Sequence, residues 1–183
     1  MKLDYENYPV IAAVRSEADF EIAISSEVQT VFLLKSNIIE VESLANRAHE
    51  KGKLLFLHVD FVDGLSKDAA GVRYLSTKGI DGIISTKTGV ISAAREAGIT
   101  CIQRFFMIDS RSVDTALEAL KQSKADLIEI MPALAYKSIT KMKNSVSTPI
   151  IAGGLIEFKE EVYSALSAGA SMISTGKKEL WVD

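Results

Sequence analysis

One cysteine, Cys101, stands in 183 residues. A lone thiol excludes an internal disulfide framework and any CxxC zinc or redox pair, and it fits a reducing compartment. Long apolar runs are missing too. Nothing approaches the ~20 residues needed to cross a bilayer, so no membrane contact is expected. The opening MKLDYENYPVIAAVR carries acids early and has only VIAAV as an apolar stretch, unlike a secretory leader. A soluble, cytoplasmic protein is the expectation. No low-complexity tract, Pro/Gly-rich linker or charge run divides the chain, and its length suits one domain spanning 1–183. A surplus of positive charge is also lacking. At a net charge of -3 there is no bulk attraction to nucleic acid, and any RNA contact needs a local basic patch. HExxH, GxSxG and a GxGxxG after a strand are absent, as are an RNP motif and a zinc knuckle.

What is there is an alternation. At 48% apolar residues the chain can bury a full core. Eight short β-rich runs recur: VIAAV (10–14), TVFLLKS (30–36), KLLFLHVD (53–60), GIISTK (82–87), TCIQRFF (100–106), DLIEIMP (126–132), PIIAGG (149–154) and SMISTG (171–176). Between them apolar residues repeat at three- and four-residue steps, as helices require. The clear helical patterns are Ile39–Lys51, Lys67–Ser76, Val90–Ala97, Val113–Ser123 and Phe158–Ser167, with shorter ones at Glu17–Ser25 and Lys178–Trp181. Gly52, Gly79, Gly98 and Gly169 sit where left-handed C-caps are expected, and Ser66, Asp109 and Ser110 where N-caps are. Parallel strands need helical crossovers. Eight strands at this spacing predict an α/β fold, a single compact (β/α)8 TIM-type barrel, with an open doubly wound sheet as the competitor.

Barrel strands carry their working residues at their C-terminal ends, and a phosphate commonly sits beside the loops after strands seven and eight. Here those ends are Gly153-Gly154 and Ser174-Thr175-Gly176. Bare glycines let backbone N–H groups approach an anion, the hydroxyls add donors, and the short helix beyond Gly176 adds a positive dipole end. The plainer alternative is that the glycines only make tight turns.

The other strand ends are polar in a way that core strands seldom are. His58 and Asp60 lie two apart on strand three. Lys87 ends strand four, Gln103 and Arg104 lie in strand five, and Glu129 sits amid the apolar residues of strand six. Lys35 ends strand two. Buried charges cost several kcal/mol unless paired, so these residues predict one shared polar cup. A set of structural ion pairs, such as Glu129 with Lys87, is the alternative. Such a cup suits a small hydroxylated phosphate ester.

Enzyme chemistry is open on these residues alone. His58 with Asp60 forms an acid–base candidate, and Lys87 a Schiff-base candidate. An isomerase, aldolase or phosphodiesterase acting on a small phosphate ester would use them. Asp60, Asp63 and Glu129 are the carboxylates on hand for a divalent cation, but no spacing enforces one, and no metal site is assigned. Basic residues also lie outside the cup: Arg111 near strand five, Lys137, Lys141 and Lys143 on the sixth helix, and Lys177 and Lys178 after strand eight. They read first as a solvated face and second as candidates for RNA phosphate contacts.

The runs FLHVDFVDGLSKDAAGVRYL, DGIISTK, CIQRFFMIDS, PIIAGGLIEFKEEVYSALSAGA and STGKKELW occur in order, and from Pro9 to Trp181 the chain resembles the glycerol-3-phosphate-responsive antiterminator family. The resemblance implies a (β/α)8 barrel that binds glycerol 3-phosphate without turning it over, so it implies no catalytic residue and no cofactor, with Mg2+ assistance left open. It implies action on the leader mRNA of glycerol-catabolic operons, which are read through when the ligand is present. A homodimer would suit a symmetric target. Gly153, Gly154, Ser174 and Thr175 match the family's phosphate end, while His58, Asp60, Lys87, Gln103, Arg104 and Glu129 match its polar strand ends. The chain departs from the family pattern at LLKSNI, at MPALAYKSI and at STGKK, all in loops expected on the ligand face.

Overall fold

The computed structural model describes residues 3–182. Eight strands run β1 Val10–Val14, β2 Thr30–Leu33, β3 Leu54–His58, β4 Gly82–Ser85, β5 Thr100–Phe106, β6 Leu127–Met131, β7 Ile150–Gly153 and β8 Met172–Thr175. Helices α1 Glu17–Ser25, α2 Val41–Glu50, α3 Ala69–Ser76, α4 Thr88–Glu96, α5 Ser112–Ser123, α6 Tyr136–Ser145 and α7 Lys159–Ser167 alternate with them, and a 3-10 turn, Lys178–Leu180, follows β8. Each strand pairs in parallel with the next, and β1 pairs with both β2 and β8, so the sheet closes. The fold is the (β/α)8 barrel that the alternation predicts, not an open sheet.

Alternation within each strand builds two cores. Inward residues such as Ile11, Phe32, Phe56, Ile84, Ile102, Leu127, Ile151 and Met172 fill the barrel. Outward residues such as Val31, Leu55, Ile83, Cys101, Ile128, Ile150 and Ile173 meet the helices. Gly82 opens β4 because Phe56 fills the space beside it. A Cβ there would stand 2.2 Å from the Phe56 ring. The four glycines expected as left-handed C-caps all have positive φ, between 70° and 114°.

The strands end earlier than their apolar runs suggest. β2 stops at Leu33, after which Ser36–Asn37 leaves the barrel and pairs with Val62–Asp63 in a two-residue parallel ladder. β3 stops at His58 and turns into a 3-10 segment, Val59–Phe61. Asp60, Phe61 and Asp63 from these segments wall the barrel mouth instead of extending the sheet. The cap of α3 also differs from expectation. Asp68 accepts from Ala70 and Gly71 N–H, while Ser66 donates its hydroxyl to Asp68. Asp109 accepts from the N–H groups of Arg111 and Ser112 in the turn ahead of α5, whose N-cap position is Arg111 and has no side-chain cap, so neither Asp109 nor Ser110 is the N-cap.

Candidate functional site

Two cavities open at the C-terminal mouth of the barrel. One, of about 320 Å³, lies at the ends of β7 and β8, where Gly154, Leu155, Ser174, Thr175 and Gly176 face Arg104 and Glu129. The other, of about 390 Å³, lies over β3 against Lys35, His58, Asp60, Phe61 and Asp63. Arg15, Leu34 and Arg104 wall both, so the two are neighbouring halves of one mouth. Each is at the lower end of the range for small-molecule sites. A larger cavity of about 450 Å³ lies beside them between α1 and α2, with Arg47 in its wall. Arg47 is already paired with Glu17 and Glu21, and only one barrel strand, through Leu33 of β2, contributes to that cavity. The barrel mouth is therefore the better candidate.

Its floor is a buried ion pair. Arg104 Nε donates to Glu129 Oε2 at 2.7 Å, and Ser174 Oγ donates to Glu129 Oε1 at 2.7 Å. Glu129 is fully buried, and both its oxygens are held, as a carboxylate in an apolar strand requires. The pair explains Gly153. A Cβ at that position would stand 2.5 Å from Glu129 Oε1 and 2.6 Å from Ser174 Oγ. The glycine makes room for a side-chain hydrogen bond rather than bringing its backbone to an anion. The sequence offered Lys87 as the partner of Glu129. Arg104 takes that place, because it lies directly opposite Glu129 in the β5–β6 register. Lys87 is exposed at the N-cap position of α4 and lines neither cavity.

His58 is buried in the second cavity, and neither ring nitrogen has a hydrogen-bond partner. Its ring packs on Phe61 with centroids 4.9 Å apart. Burial, aided by the charge of Arg104, pushes its pKa down to about 4, so it is a neutral imidazole near pH 7. Asp60 is engaged elsewhere. It accepts from Ser85 Oγ at 2.7 Å and from Thr86 N and Oγ1 at 2.8 and 2.9 Å. Burial alone would raise its carboxyl, but these bonds hold it below the ordinary value. The acid–base pair suggested by the sequence is therefore not hydrogen-bonded. Asp60, Asp63 and Glu129 do not converge either: among the described residues no three His, Cys, Asp or Glu side chains stand together to hold a metal ion.

Gln103 points the other way. It alternates with Arg104, so its side chain faces the helices, where it donates to Thr88 Oγ1 and accepts from Ser123 Oγ. It packs α4 and α5 and is not part of the cup. At the β8 end, Thr175 Oγ1 donates to the Ile156 carbonyl at 2.8 Å and accepts from Lys177 N at 3.0 Å. Its hydroxyl thus ties the β7 loop to the β8 loop, and within the latter the indole of Trp181 donates to the Thr175 carbonyl at 2.9 Å. Gly154 turns the β7 loop with φ of 78°, and Leu155 continues it at φ of 63°. Ala133 N–H donates to the carbonyls of both Gly153 and Gly154.

The sequence reading missed Arg15, which walls both cavities and the larger one between α1 and α2. The rule that flags Lys35 and Lys87, a cation just past an apolar strand, would have flagged it after VIAAV. The basic residues outside the cup divide. Lys141 pairs with Asp114 at 2.8 Å, Lys178 with Asp19 at 2.6 Å and Lys177 with Glu179 at 3.7 Å. Lys143 packs beneath Gly169, where a Cβ would stand 2.8 Å from its Cγ. Lys137 and Arg111 are exposed and make no ion pair among the described residues.

The model of the glycerol-3-phosphate responsive antiterminator family matches residues 10–181. YgcP of Escherichia coli (strain K12), an uncharacterized protein, is 36% identical over 174 residues, 94% of this chain and 91% of that one. The solved glycerol uptake operon antiterminator regulatory protein of Listeria monocytogenes str. 4b F2365 superposes with a TM-score of 0.93 at 32% identity, over 99% of this chain and 98% of that one. A glycerol uptake operon antiterminator-related protein from Thermotoga maritima MSB8 does so with a TM-score of 0.85 at 31% identity, over 95% and 98%.

Proposed function

This chain belongs to the glycerol-3-phosphate responsive antiterminator family, and from that premise we propose that it is an RNA-binding antiterminator whose effector is glycerol 3-phosphate. The observation that carries the reading is the Arg104–Glu129 pair under the β7 and β8 loops. Glu129 occupies Arg104 Nε and leaves the rest of the guanidinium to the two cavities. With Arg15 above, it forms a cationic corner beside the backbone of Gly154, Leu155 and Gly176. A phosphate seats there, held by charge-assisted hydrogen bonds. The glycerol hydroxyls point into the second cavity, where neutral His58 offers one donor and one acceptor.

Sensing rather than catalysis suits the other residues. Lys87 lines neither cavity, and Asp60 is spent on Ser85 and Thr86. A phosphate bridging the β1 end and the β7 and β8 loops would draw them together. That shifts the protein toward an RNA-competent state by as much as the ligand prefers that state, and a tenfold preference is about 1.4 kcal/mol.

Phosphorus NMR of glycerol 3-phosphate with the protein and Mg2+, followed for a day, is the test. A broadened or shifted resonance without a new peak is the expected result, followed by tighter leader-RNA binding in the presence of ligand. A new phosphorus peak would make the protein an enzyme. Equal RNA affinity with and without ligand would end the regulatory reading.

A further inference from the structure

The C-terminal rim of the barrel differs from the rest of the surface in two ways. The first is its charge. Arg15, Lys35, Lys67 and Lys87 stand in the loops after the first four strands. Arg111 closes the fifth, Lys137 and Lys159 lie in the first turns of α6 and α7, and Lys177 follows β8. Every strand-to-helix connection thus presents a cation at the same end. Apart from Lys177, none of these takes part in an ion pair among the described residues. Elsewhere Arg47, Lys78, Arg95, Lys121 and Lys141 are each matched to a carboxylate, while Arg73 on α3 and Lys143 on α6 make no ion pair among the described residues. Carboxylates stand at the same end, and several are tied to local donors. Asp60 holds Thr86, Asp68 caps α3, Asp109 accepts from Arg111 and Ser112 N–H, Glu161 accepts from Glu157 and Phe158 N–H, and Asp19 holds Lys178. Glu40, Asp63, Glu157 and Glu160 remain without an ion pair there.

The second is apolar exposure. Ile39 and Ile108 are each 87% exposed, and Phe61, Phe106, Leu155 and Phe158 are more than half exposed. All six lie at strand ends or in strand-to-helix loops of this one rim. Flat rings set among unpaired cations match single-stranded RNA, whose bases stack on aromatic faces while its phosphates meet Lys and Arg.

We propose that this rim, and not the lysine face of α6, is the RNA-binding surface, with single-stranded RNA lying across the barrel mouth. The inference rests on the antiterminator reading and deepens it. Arg15, Lys35, Phe61 and Leu155 belong both to the rim and to the walls of the effector cavities. A ligand in the mouth therefore orders part of the surface on which the RNA lies, which couples the two without a distant relay.

The test uses the full chain, glycerol 3-phosphate and a fluorescein-labelled, randomised single-stranded RNA pool, titrated at several salt concentrations. Two rim variants lie outside the cavities: Arg111→Glu with Lys159→Glu, and Phe106→Ala with Phe158→Ala. The control is Lys141→Glu with Lys143→Glu on α6. All are checked for native circular dichroism and unchanged glycerol 3-phosphate binding. The charge-reversed rim is expected to bind RNA at least tenfold more weakly, with the salt slope reduced by about one per lost phosphate contact. The aromatic variant is expected to weaken binding at every salt concentration without changing the slope. The α6 control is expected to match the parent. If the α6 variant loses RNA and the rim variants do not, the rim proposal is overturned while the antiterminator reading stands. If the rim variants instead change the sedimentation of the protein alone, the rim is a contact between copies and the proposal falls. A parent chain that binds no RNA with or without ligand defeats both.

Discussion

Arg104 donates from Nε to Glu129 at 2.7 Å inside the barrel mouth, where the arginine side chain is 8% exposed and the glutamate 0%. Such a pair gives little net stability, because its attraction mostly offsets the cost of taking both charges from water. Removing one partner is different. Glu129→Gln leaves Arg104 buried without a counter-charge and is expected to cost about 3–5 kcal/mol in urea unfolding. The double variant Arg104→Met with Glu129→Leu is expected to recover most of that loss and yet bind no glycerol 3-phosphate by calorimetry. Retained binding in the double variant would show that the pair is structural only.

Gly153→Ala probes the same floor from beneath. The added methyl meets Glu129 and Ser174 closer than any normal contact, and the surrounding strands cannot shift freely. Overpacking of this kind costs about 1–3 kcal/mol. The melting temperature is expected to fall, and effector affinity to fall with it because the carboxylate is displaced. A variant with normal melting and binding would mean that the floor yields easily.

His58 makes stability depend on pH in a defined window. Its pKa is about 4 in the fold against 6.5 for the ordinary side chain, so the unfolded chain binds the proton more readily. Stability is therefore complete above pH 6.5 and is lost as pH falls from 6.5 toward 4, by roughly 3 kcal/mol in all. Asp60 is shifted downward from 3.8, and its contribution falls away only below that value. Urea midpoints measured from pH 7 to pH 4 should show the slope. In His58→Leu it should vanish, with stability at pH 7 at least equal to the parent because an unpartnered buried polar group has been removed. A slope that persists in the variant assigns it to another group.

Arg15 is exposed and makes no ion pair among the described residues, so its loss should leave folding alone. In calorimetric titration Arg15→Ala is expected to weaken glycerol 3-phosphate at least tenfold, about the value of one hydrogen bond to a charged group. Arg15→Lys should recover only part, since an ammonium cannot make the paired contacts of a guanidinium. Unchanged affinity in Arg15→Ala would move the phosphate away from the β7 and β8 ends.

The barrel was legible because its signals are local. A two-residue period, glycine at helix ends and helices as crossovers leave few arrangements open, and α1 even has the bounds read from its pattern, Glu17–Ser25. His58, Asp60, Arg104 and Glu129, which line the mouth, were conspicuous as polar residues in or just after apolar strands, but so were Gln103 and Lys87, which do not line it. The partners of these residues were not legible. Lys87 and Arg104 are equally basic on the page, and only the β5–β6 register puts Arg104 beside Glu129. Gln103 and Arg104 are neighbours in sequence, yet the pleat sends one to α4 and α5 and the other into the mouth.

The sequence by itself determined the eight-fold alternation, the end of the barrel that carries polar residues, and the small residues at strands seven and eight. Each follows from the preference of one residue or from spacing along one element. Only the tertiary structure decided that Gly153 is bare for the sake of Glu129 and Ser174, that Asp60 and Thr175 spend their oxygens on neighbouring loops, and that His58 is left with none of its nitrogens paired. Those outcomes depend on which strands close beside one another and how far each is staggered. A hydrogen bond reaches about 3 Å, and residues 25 to 45 positions apart come within that reach only when the barrel closes.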